Sequence, residues 1–343
     1  MPEGASIVLS ALSKLYAFGV KCRNYGYDLG LLKTHHSTIP VISVGNISCG
    51  GNAKTPLCFF LVEALKKKGL RAVVLSRGYG GKTQGPHQVS SSDTPESVGD
   101  EPVMLERADV AVVVARDRVS GAKLIEEKRL GDVIILDDGF QHRRLHRDLD
   151  LVSVNIGSSE AIQDFLAARL LPAGRLREGR DQALRRADAV IFANRQVATP
   201  PLEIDPRLLH LVPEGVKVYS SALAAEGVQA LTKRDKTAEQ GLPPCKVAAF
   251  CGIANPEGFF NSLFTLGYEL VGSQVYADHH SFSRAELDDL RSRFKHLPLV
   301  CTAKDAVKID PSWADGIYVL KVSTKVYPEE DFIAQVLEKV GTK

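Results

Sequence analysis

The chain has 343 residues, of which 44% are hydrophobic and 24% charged, and its formal net charge at pH 7 is only +2. This length exceeds one ordinary hydrophobic core, so we expect two domains, and the composition excludes an intrinsically disordered protein. The near-neutral charge gives no global reason to expect a nucleic-acid partner, and we expect none. The six cysteines contain no C-x-x-C pair, which is typical of reduced thiols in a cytosolic protein.

Residues 5–25 predict an amphipathic helix at the start of the chain. Its apolar face consists of Val8, Leu12, Leu15 and Tyr16. The basic residues that accompany it are Lys14, Lys21, Arg23 and Lys33. Two interpretations stay open: a helix at a lipid surface with cations near the headgroups, or a helix packed on its own domain. The uncharged run ends at Lys14, too early to span a bilayer, and Glu3 argues against a signal peptide.

The next stretch, residues 41–61, organises the rest of the chain. Val41–Val44 predict a buried parallel strand, and Pro56 suits the first turn of an apolar helix. The loop between them contains Gly50, Gly51, Asn52, Ala53, Lys54 and Thr55. Strand, glycine loop, Lys-Thr and helix is the layout of a P-loop. In that loop, N–H groups and the lysine hold phosphates while the threonine hydroxyl faces Mg²⁺.

The match to the usual P-loop pattern G-x-x-x-x-G-K-[ST] is imperfect. Ser48 occupies the first glycine position and Ala53 the second. A glycine turn that merely precedes a lysine is therefore the alternative interpretation. If Ala53 needs a positive φ, the cost is about 1 kcal/mol, which would weaken nucleotide binding without abolishing it.

Two later segments are expected to face the same crevice. A strand over residues 72–75 is followed by a loop with Arg77 and Tyr79, and ligands of such sheets bind beyond the carboxyl ends of the strands. Asp100 and Glu101 precede an apolar helical run. They could cap and begin that helix, or they could place a carboxylate at the mouth of the phosphate site.

Another strand, residues 133–136, runs directly into Asp137 and Asp138. An apolar strand that ends in an acid is the Walker-B arrangement, whose carboxylate binds Mg²⁺ directly or through water. Adjacent acids point to opposite sides of an extended chain, so only one is expected to face the metal. His142 and His146 could pair on a helix as zinc ligands, but the arginines beside them disfavour a dication there.

Strands and helices alternate through both halves of the chain. Further strands are predicted at residues 110–114, 151–154, 189–192, 247–250, 299–302 and 317–320, and helices at 116–129 and 257–266. Prolines between residues 196 and 215 indicate a boundary, so we divide the chain into 1–215 and 216–343. The predicted class is α/β, with two α/β/α sandwich domains and mainly parallel sheets, the first a P-loop NTPase-like domain.

Eight motifs stand in order between about residues 38 and 310: GNISCGGNAKTP, SRGYGGK, VGDEP, LDDGFQH, LPAGRLRE, CGIANPEGFF, ADHHSF and TAKDAVK. Together they resemble the tetraacyldisaccharide 4′-kinases, a family that phosphorylates lipid A disaccharide 1-phosphate with ATP. The resemblance implies two α/β/α domains joined by a strand-like hinge, with the active site in the cleft between them. It also implies ATP and Mg²⁺ as cofactors. The expected place is peripheral, on the cytoplasmic face of the bacterial inner membrane, whose anionic surface would be a partner.

The resemblance also implies a role for each matching residue. The phosphate and Mg²⁺ contacts fall on Lys54, Thr55, Asp137 and Asp138. The catalytic pair falls on Asp100 and His279. The positions near the phosphates or the metal fall on Glu101, His142, Arg177 and Glu178. We expect Asp100, polarised by His279, to accept the proton of the sugar hydroxyl, and domain closure to bring the pair together.

The chain departs from the family pattern at three positions. The family usually has glycine at the position of Ala53, proline at that of Arg175, and TEKD where Ala303 stands. Ala53 is the most serious departure, because a Cβ there could crowd a backbone that must approach phosphate.

Three other functions stay open on the sequence. The segment TAKD at residues 302–305 hints at a P-loop GTPase or regulatory ATPase, although its lysine stands one place too late for the guanine-reading motif. A metal-dependent hydrolase would use Asp137, Asp138, His142, Asp278 and His279. A non-catalytic membrane-binding protein would need a degenerate P-loop, and Ala53 alone favours that.

Overall fold

A computed structural model describes residues 3–50, 54–198, 202–232 and 241–341. The strands are β1 Val41–Gly45, β2 Ala72–Ser76, β3 His87–Gln88, β4 Ala111–Val114, β5 Val133–Asp137, β6 Leu149–Asn155, β7 Ala189–Val197, β8 Lys217–Ala230, β9 Lys246–Cys251, β10 Glu269–Val275, β11 Leu299–Thr302 and β12 Ile317–Tyr327. They form one sheet in the order β10-β9-β11-β12-β8-β7-β6-β1-β5-β2-β4-β3.

Helices lie between most of these strands. They are α1 Glu3–Asp28, α2 Lys54–Lys67, α3 Pro95–Val98, α4 Asp100–Arg107, α5 Arg118–Lys128, α6 Ser159–Ala167, α7 Arg180–Leu184, α8 Pro206–Leu209, α9 Pro256–Thr265, α10 Arg284–Arg293, α11 Ala303–Ala306 and α12 Glu329–Val340. Over the ranges described above, no helix combines the length and the apolar character that crossing a bilayer requires.

The parallel strands β6, β1, β5, β2 and β4 form the centre of the first half. Their sequences, such as VISVG and VIILD, are rich in β-branched apolar residues, and every residue of β1, β2 and β5 is buried. Such strands are stable only where helices cover both faces of the sheet. β1 lies between β5 and β6, with Val44 paired to Asp137, so the loop after β1 and the acids after β5 meet at one edge.

The two longest strands, β8 and β12, connect the halves of the sheet. They pair antiparallel from Tyr318 opposite Ala230 to Tyr327 opposite Ser220. β8 also pairs parallel with β7, and β12 with β11, so the sheet continues without a break from one half to the other. The final helix, α12, returns to the first half, where Phe332 joins the core cluster that also contains Leu57 and Leu61 of α2. The division at residue 215 stays a prediction.

The structure confirms the α/β class and the strands that the sequence predicts, although β7 and β12 run five and seven residues beyond their predicted ends at 192 and 320. Three strands were not predicted: the two-residue edge strand β3, the connecting strand β8 and the edge strand β10. β10 alternates exposed and half-buried residues and contains Gly272, whose small size admits the ring of Phe294. These strands lack the apolar runs that identify the central ones.

Candidate active site

The Lys-Thr pair after β1 lies at the first turn of α2 and contacts two acids from distant parts of the chain. Lys54 Nζ is 3.2 Å from Asp138 Oδ1, and Thr55 Oγ1 donates a hydrogen bond of 2.9 Å to Glu101 Oε2. Gly50 has a φ of +107°, a conformation that favours glycine. Gly51, Asn52 and Ala53 lie outside the described residues, so the question raised by Ala53 stays open. Pro56 follows in the first helical turn, as expected.

The two adjacent acids after β5 have different surroundings. Asp138 pairs with Lys54 and with Arg177, whose Nη1 is 3.0 Å from both carboxylate oxygens. Burial opposes ionisation of Asp138, but these two cations outweigh it and lower the pKa of the carboxyl below its usual range. Asp137 instead has neutral neighbours, Ser76 Oγ at 3.4 Å and Cys58 Sγ at 3.9 Å.

The Asp137 carboxyl is suited to a cation. It is buried, and burial followed by the nearby Glu101 raises its pKa to about 7. Lys54 and Arg118 offset this only in part, and a divalent ion would remove the remaining cost of the buried carboxylate. The Thr55 hydroxyl is likewise nearly buried and lies at the same edge of the sheet. A carboxylate and a hydroxyl are oxygen ligands of the kind that Mg²⁺ takes, so these residues fit the ion.

A polar pocket lies between α1 and this edge of the sheet. Its lining includes Tyr16, Arg23, Arg77, Arg118, His142 and Arg177. Burial lowers the pKa of Arg118 to about 10 and, with Arg118 itself, that of His142 to about 4. His142 is therefore neutral near pH 7, whereas Arg118 and Arg177 keep their charge. The pocket suits an anion such as phosphate. Tyr79 is 80% exposed and is not part of this lining.

Glu178 is buried and has three described partners. It accepts hydrogen bonds from Asn24 of α1 at 3.1 Å, from Gln141 at 2.9 Å and from Arg186 at 2.8 Å. The carboxylate therefore ties α1 to the segment that follows Asp138. Its contacts hold the pocket's walls together, and its charge is balanced by Arg186.

The predicted catalytic pair is already assembled. His279 Nδ1 lies 2.9 Å from Asp100 Oδ2, although the two residues are 179 positions apart. Asp100 does not cap its helix, because Gly99 is the N-cap of α4 and no side chain provides a capping hydrogen bond there. Closure of the cleft, which we expected to be needed, is not required to bring this pair into contact. Glu101, the next residue, accepts the hydrogen bond from Thr55 Oγ1.

His142 and His146 do not share a helix. Residues 141–146 form turns, and the His146 ring stacks on His36 with centroids 4.3 Å apart. Among the residues that the structure describes, no three His, Cys, Asp or Glu side chains form a metal-binding group. The arrangement that a zinc site on this pair would require, two histidines on one helix, is therefore absent from residues 142–146.

Several residues of the site were not singled out by the sequence. Arg118 is buried in the pocket wall, Asn24 and Gln141 hold Glu178, and Lys308 contacts Asp100 at 3.4 Å. Lys308 follows α11, and its side chain is only 2% exposed. No local pattern distinguishes a buried arginine or lysine from a solvated one, and only the motif TAKDAVK drew attention to this segment.

A Lys-Thr pair that begins a helix after a parallel strand, together with a carboxylate–histidine pair next to the Thr55 partner Glu101, is typical of a P-loop phosphotransferase. Comparison with known proteins gives the particular family. The family model for tetraacyldisaccharide-1-P 4′-kinase, LpxK, matches residues 5–341, and the chain belongs to this family. It is thus a kinase, and the GTPase and hydrolase alternatives are not favoured.

Individual relatives and a solved structure agree with this membership. A tetraacyldisaccharide 4′-kinase from Aeromonas salmonicida is 39% identical over 321 residues, covering 93% of this chain and 88% of the relative. One from Desulfotalea psychrophila is 36% identical, covering 95% and 94%. The crystal structure of LpxK from Aquifex aeolicus, described as an "apo" form in complex with ATP, has a TM-score of 0.77 at 30% identity. That alignment covers 98% of this chain and 99% of the other.

Proposed function

We propose that this chain transfers the γ-phosphoryl group of ATP to the 4′-hydroxyl of lipid A disaccharide 1-phosphate. The observation that carries the proposal is the position of Asp100. It pairs with His279 at 2.9 Å, and the next residue, Glu101, accepts a hydrogen bond from the P-loop residue Thr55. A hydroxyl held at Asp100 would therefore lie beside the phosphates held by the P-loop.

The residues that would hold the nucleotide and its metal follow from the same geometry. Lys54 and the N-terminal turn of α2 would hold the phosphates, and Thr55 with Asp137 would hold Mg²⁺. When bound, Mg²⁺ neutralises charge on the phosphoryl oxygens. Asp138 keeps Lys54 in place through the 3.2 Å ion pair. The pocket arginines supply further positive charge for the phosphate groups of the reactants.

Asp100 would act as the general base. A sugar hydroxyl is a poor nucleophile near neutral pH, and a carboxylate within hydrogen-bond reach can accept its proton as the bond to phosphorus forms. The contact with His279 engages Oδ2, which leaves Oδ1 to face the hydroxyl. The pair is thus oriented before the substrate arrives.

We further propose that the protein works as a peripheral protein on the inner membrane. Its substrate would keep its acyl chains in the bilayer, so the sugar must be reached at the surface. Among the side chains that α1 leaves exposed are four large apolar ones, Val8, Leu12, Leu15 and Phe18, with Leu15 at 68% and Phe18 at 66%. Lys14 and Lys21 are exposed on the same helix. Helices of this composition, with lysines nearby, bind anionic lipid surfaces.

The test is a phosphorylation assay with lipid A disaccharide 1-phosphate and MgATP in detergent, run on the wild type and on Asp100→Asn. Asparagine keeps the shape of aspartate but cannot accept the proton, so we expect kcat to fall about 10²-fold or more with unchanged ATP affinity. Absence of 4′-phosphorylated product with the wild type would refute the proposed reaction. Surviving turnover together with a lower melting temperature would make Asp100 a structural residue only.

A further inference from the structure

The Nε2 atom of His279, which does not contact Asp100, has a partner of its own. Nδ1 faces Asp100, while Nε2 lies 3.3 Å from Nζ of Lys304 in α11. The same ammonium lies 3.3 Å from Asp278 Oδ1, which holds it in place. Lys304 thus contacts the ring on the side away from the base.

Hydrogen-bond chemistry determines which atoms donate in this chain of contacts. An ammonium has only donors, and a carboxylate has only acceptors. Nε2 must therefore accept from Lys304, and the ring must carry its proton on Nδ1 and donate it to Asp100. A second ring proton on Nε2 would point at the ammonium. The contact with Lys304 consequently favours the singly protonated ring.

Two further side chains of the same segment, those of Asp305 and Lys308, support the pair. Asp305 is fully buried, accepts a hydrogen bond of 3.1 Å from the Gly252 N–H and lies 3.7 Å from Lys308 Nζ. Gly252 in turn accepts from the His279 N–H at 3.2 Å, where the histidine has a φ of +64°. Lys308 approaches Asp100 Oδ2 at 3.4 Å. Residues 302–308 therefore hold His279 through Gly252 and hold the Asp100 carboxylate through Lys308.

We propose that Lys304 is a positioning residue for phosphoryl transfer. Its ammonium donates a hydrogen bond to Nε2 of His279, so that the ring keeps its proton on Nδ1 and donates it to Asp100. This inference rests on the proposed role of Asp100 as the base. The charged groups facing the pair are Asp278, Lys304 and Lys308. Without the ammonium, Nε2 would face Asp278 alone, whose Oδ2 lies 3.9 Å away, and a second ring proton would be favoured. Asp100 would then accept from a charged imidazolium and would be a poorer base.

The test compares Lys304→Met, Lys304→Arg and the exposed control Lys295→Met in the full-length protein. For Lys304→Met we expect kcat near neutral pH to fall about tenfold, a part of the roughly 10²- to 10⁴-fold that a general base contributes. The acid limb of its pH–rate profile should move to higher pH, with unchanged KM for ATP and unchanged melting temperature. Arginine keeps the donors, so Lys304→Arg should retain most of the activity, and Lys295→Met should match the wild type.

Nitrogen-15 NMR of histidine-labelled protein gives a readout that does not depend on turnover. The His279 signals are assigned by their loss in His279→Gln. We expect an unprotonated Nε2 in the wild type and in Lys304→Arg, and a protonated one in Lys304→Met at the same pH. Identical His279 spectra in the wild type and Lys304→Met would overturn the proposal, as would a loss of activity that arginine fails to restore. If Asp100→Asn turns over normally, the base role fails, while these spectra still decide the role of Lys304.

Discussion

Asp137 and Asp138 illustrate how far the properties of adjacent identical residues can diverge. Asp137 ends β5 in register with Val44, and its hydrogen-bond partners are the uncharged Ser76 and Cys58. Asp138 has a φ of +52°, so the chain leaves the extended conformation at this residue and turns its carboxylate toward Lys54 and Arg177. The different surroundings of the two acids therefore arise from a left-handed residue, and the alternation of an extended strand is not their cause.

At the residue scale, Lys54→Ala tests the P-loop. We expect the rate to fall by orders of magnitude, because the lysine would contact the phosphates, while the fold survives because Arg177 still pairs with Asp138. Single-turnover kinetics and thermal unfolding give the two quantities. Lys67→Ala, at the exposed end of the same helix, is the control and should behave as the wild type. Near-normal turnover in a folded Lys54→Ala protein would remove the P-loop from the mechanism.

The neutral His142 predicts a pH dependence of stability. Its pKa is lowered from 6.5 to about 4, so between these values the unfolded chain binds a proton that the folded protein does not. The contribution of the neutral His142 to the free energy of unfolding is fully present above pH 6.5. It is lost as the pH falls toward 4, by at most about 1.4 kcal/mol per pH unit. In denaturant unfolding, the free energy of unfolding of His142→Gln should fall less steeply over this pH range than that of the wild type. The exposed control His210→Gln should follow the wild type. Parallel declines in His142→Gln and the wild type would contradict the assignment.

At the element scale, α1 packs on its own protein, as the second interpretation of its sequence predicts, and its binding to a lipid surface stays a proposal. Ser13 and Tyr16 donate hydrogen bonds to the carbonyls of Leu170 and Arg177, and Asn24 donates to Glu178, so one side of the helix packs on its own protein. The other side keeps its apolar residues exposed. Tyr16, which the sequence placed on the apolar face, uses its hydroxyl for this packing.

We expect replacement of Lys14, Lys21 and Lys33 by serine to weaken binding to anionic vesicles. Each lysine contributes about 1 kcal/mol at such a surface, so the three together predict up to about 100-fold weaker binding at low salt. Arg23 is left unchanged because it lines the pocket. Cosedimentation with phosphatidylglycerol vesicles measures the binding, and the lipid KM should rise with it.

The matched control replaces Lys67, Lys68 and Lys128, which are exposed elsewhere on the first half, by serine. It removes the same charge and should leave vesicle binding near the wild-type value. Equal losses in both triple variants would mean that net charge, and not α1, determines binding. A fall in melting temperature confined to the α1 variant would indicate that its lysines serve the fold.

At the scale of the whole molecule, the predictable parts are those encoded locally. The strands β1, β2 and β5 are largely apolar runs. The Lys-Thr pair follows β1 after one loop and the Asp-Asp pair stands at the end of β5, so their place at one sheet edge could be predicted. β8 could not, because its serines, alanines and glycine carry no strand pattern and its pairing with β12 spans about a hundred residues. The Asp100–His279 contact was expected only from the family resemblance, since nothing local relates residues 179 positions apart.

The return of α12 to the first half has a consequence for the nucleotide loop. Phe332 is fully buried, 4.9 Å from the Tyr219 ring and 6.0 Å from that of Phe60 on α2, the helix that begins with Lys54. We expect Phe332→Ala to lower the free energy of unfolding by about 3–5 kcal/mol and to loosen α2, so that ATP binding weakens as well. Denaturant unfolding and hydrogen exchange of α2 measure the two effects.

The control for this prediction is Phe264→Ala on α9, which removes the same atoms from a side chain that is 67% exposed. Phe264→Ala should lower the free energy of unfolding far less, because its side chain buries little apolar surface in the folded protein. If the two phenylalanine variants unfold at the same denaturant concentration, α12 does not support the first half. If Phe332→Ala is destabilised but hydrogen exchange in α2 is unchanged, the final helix stabilises the sheet alone and the nucleotide loop is independent of it.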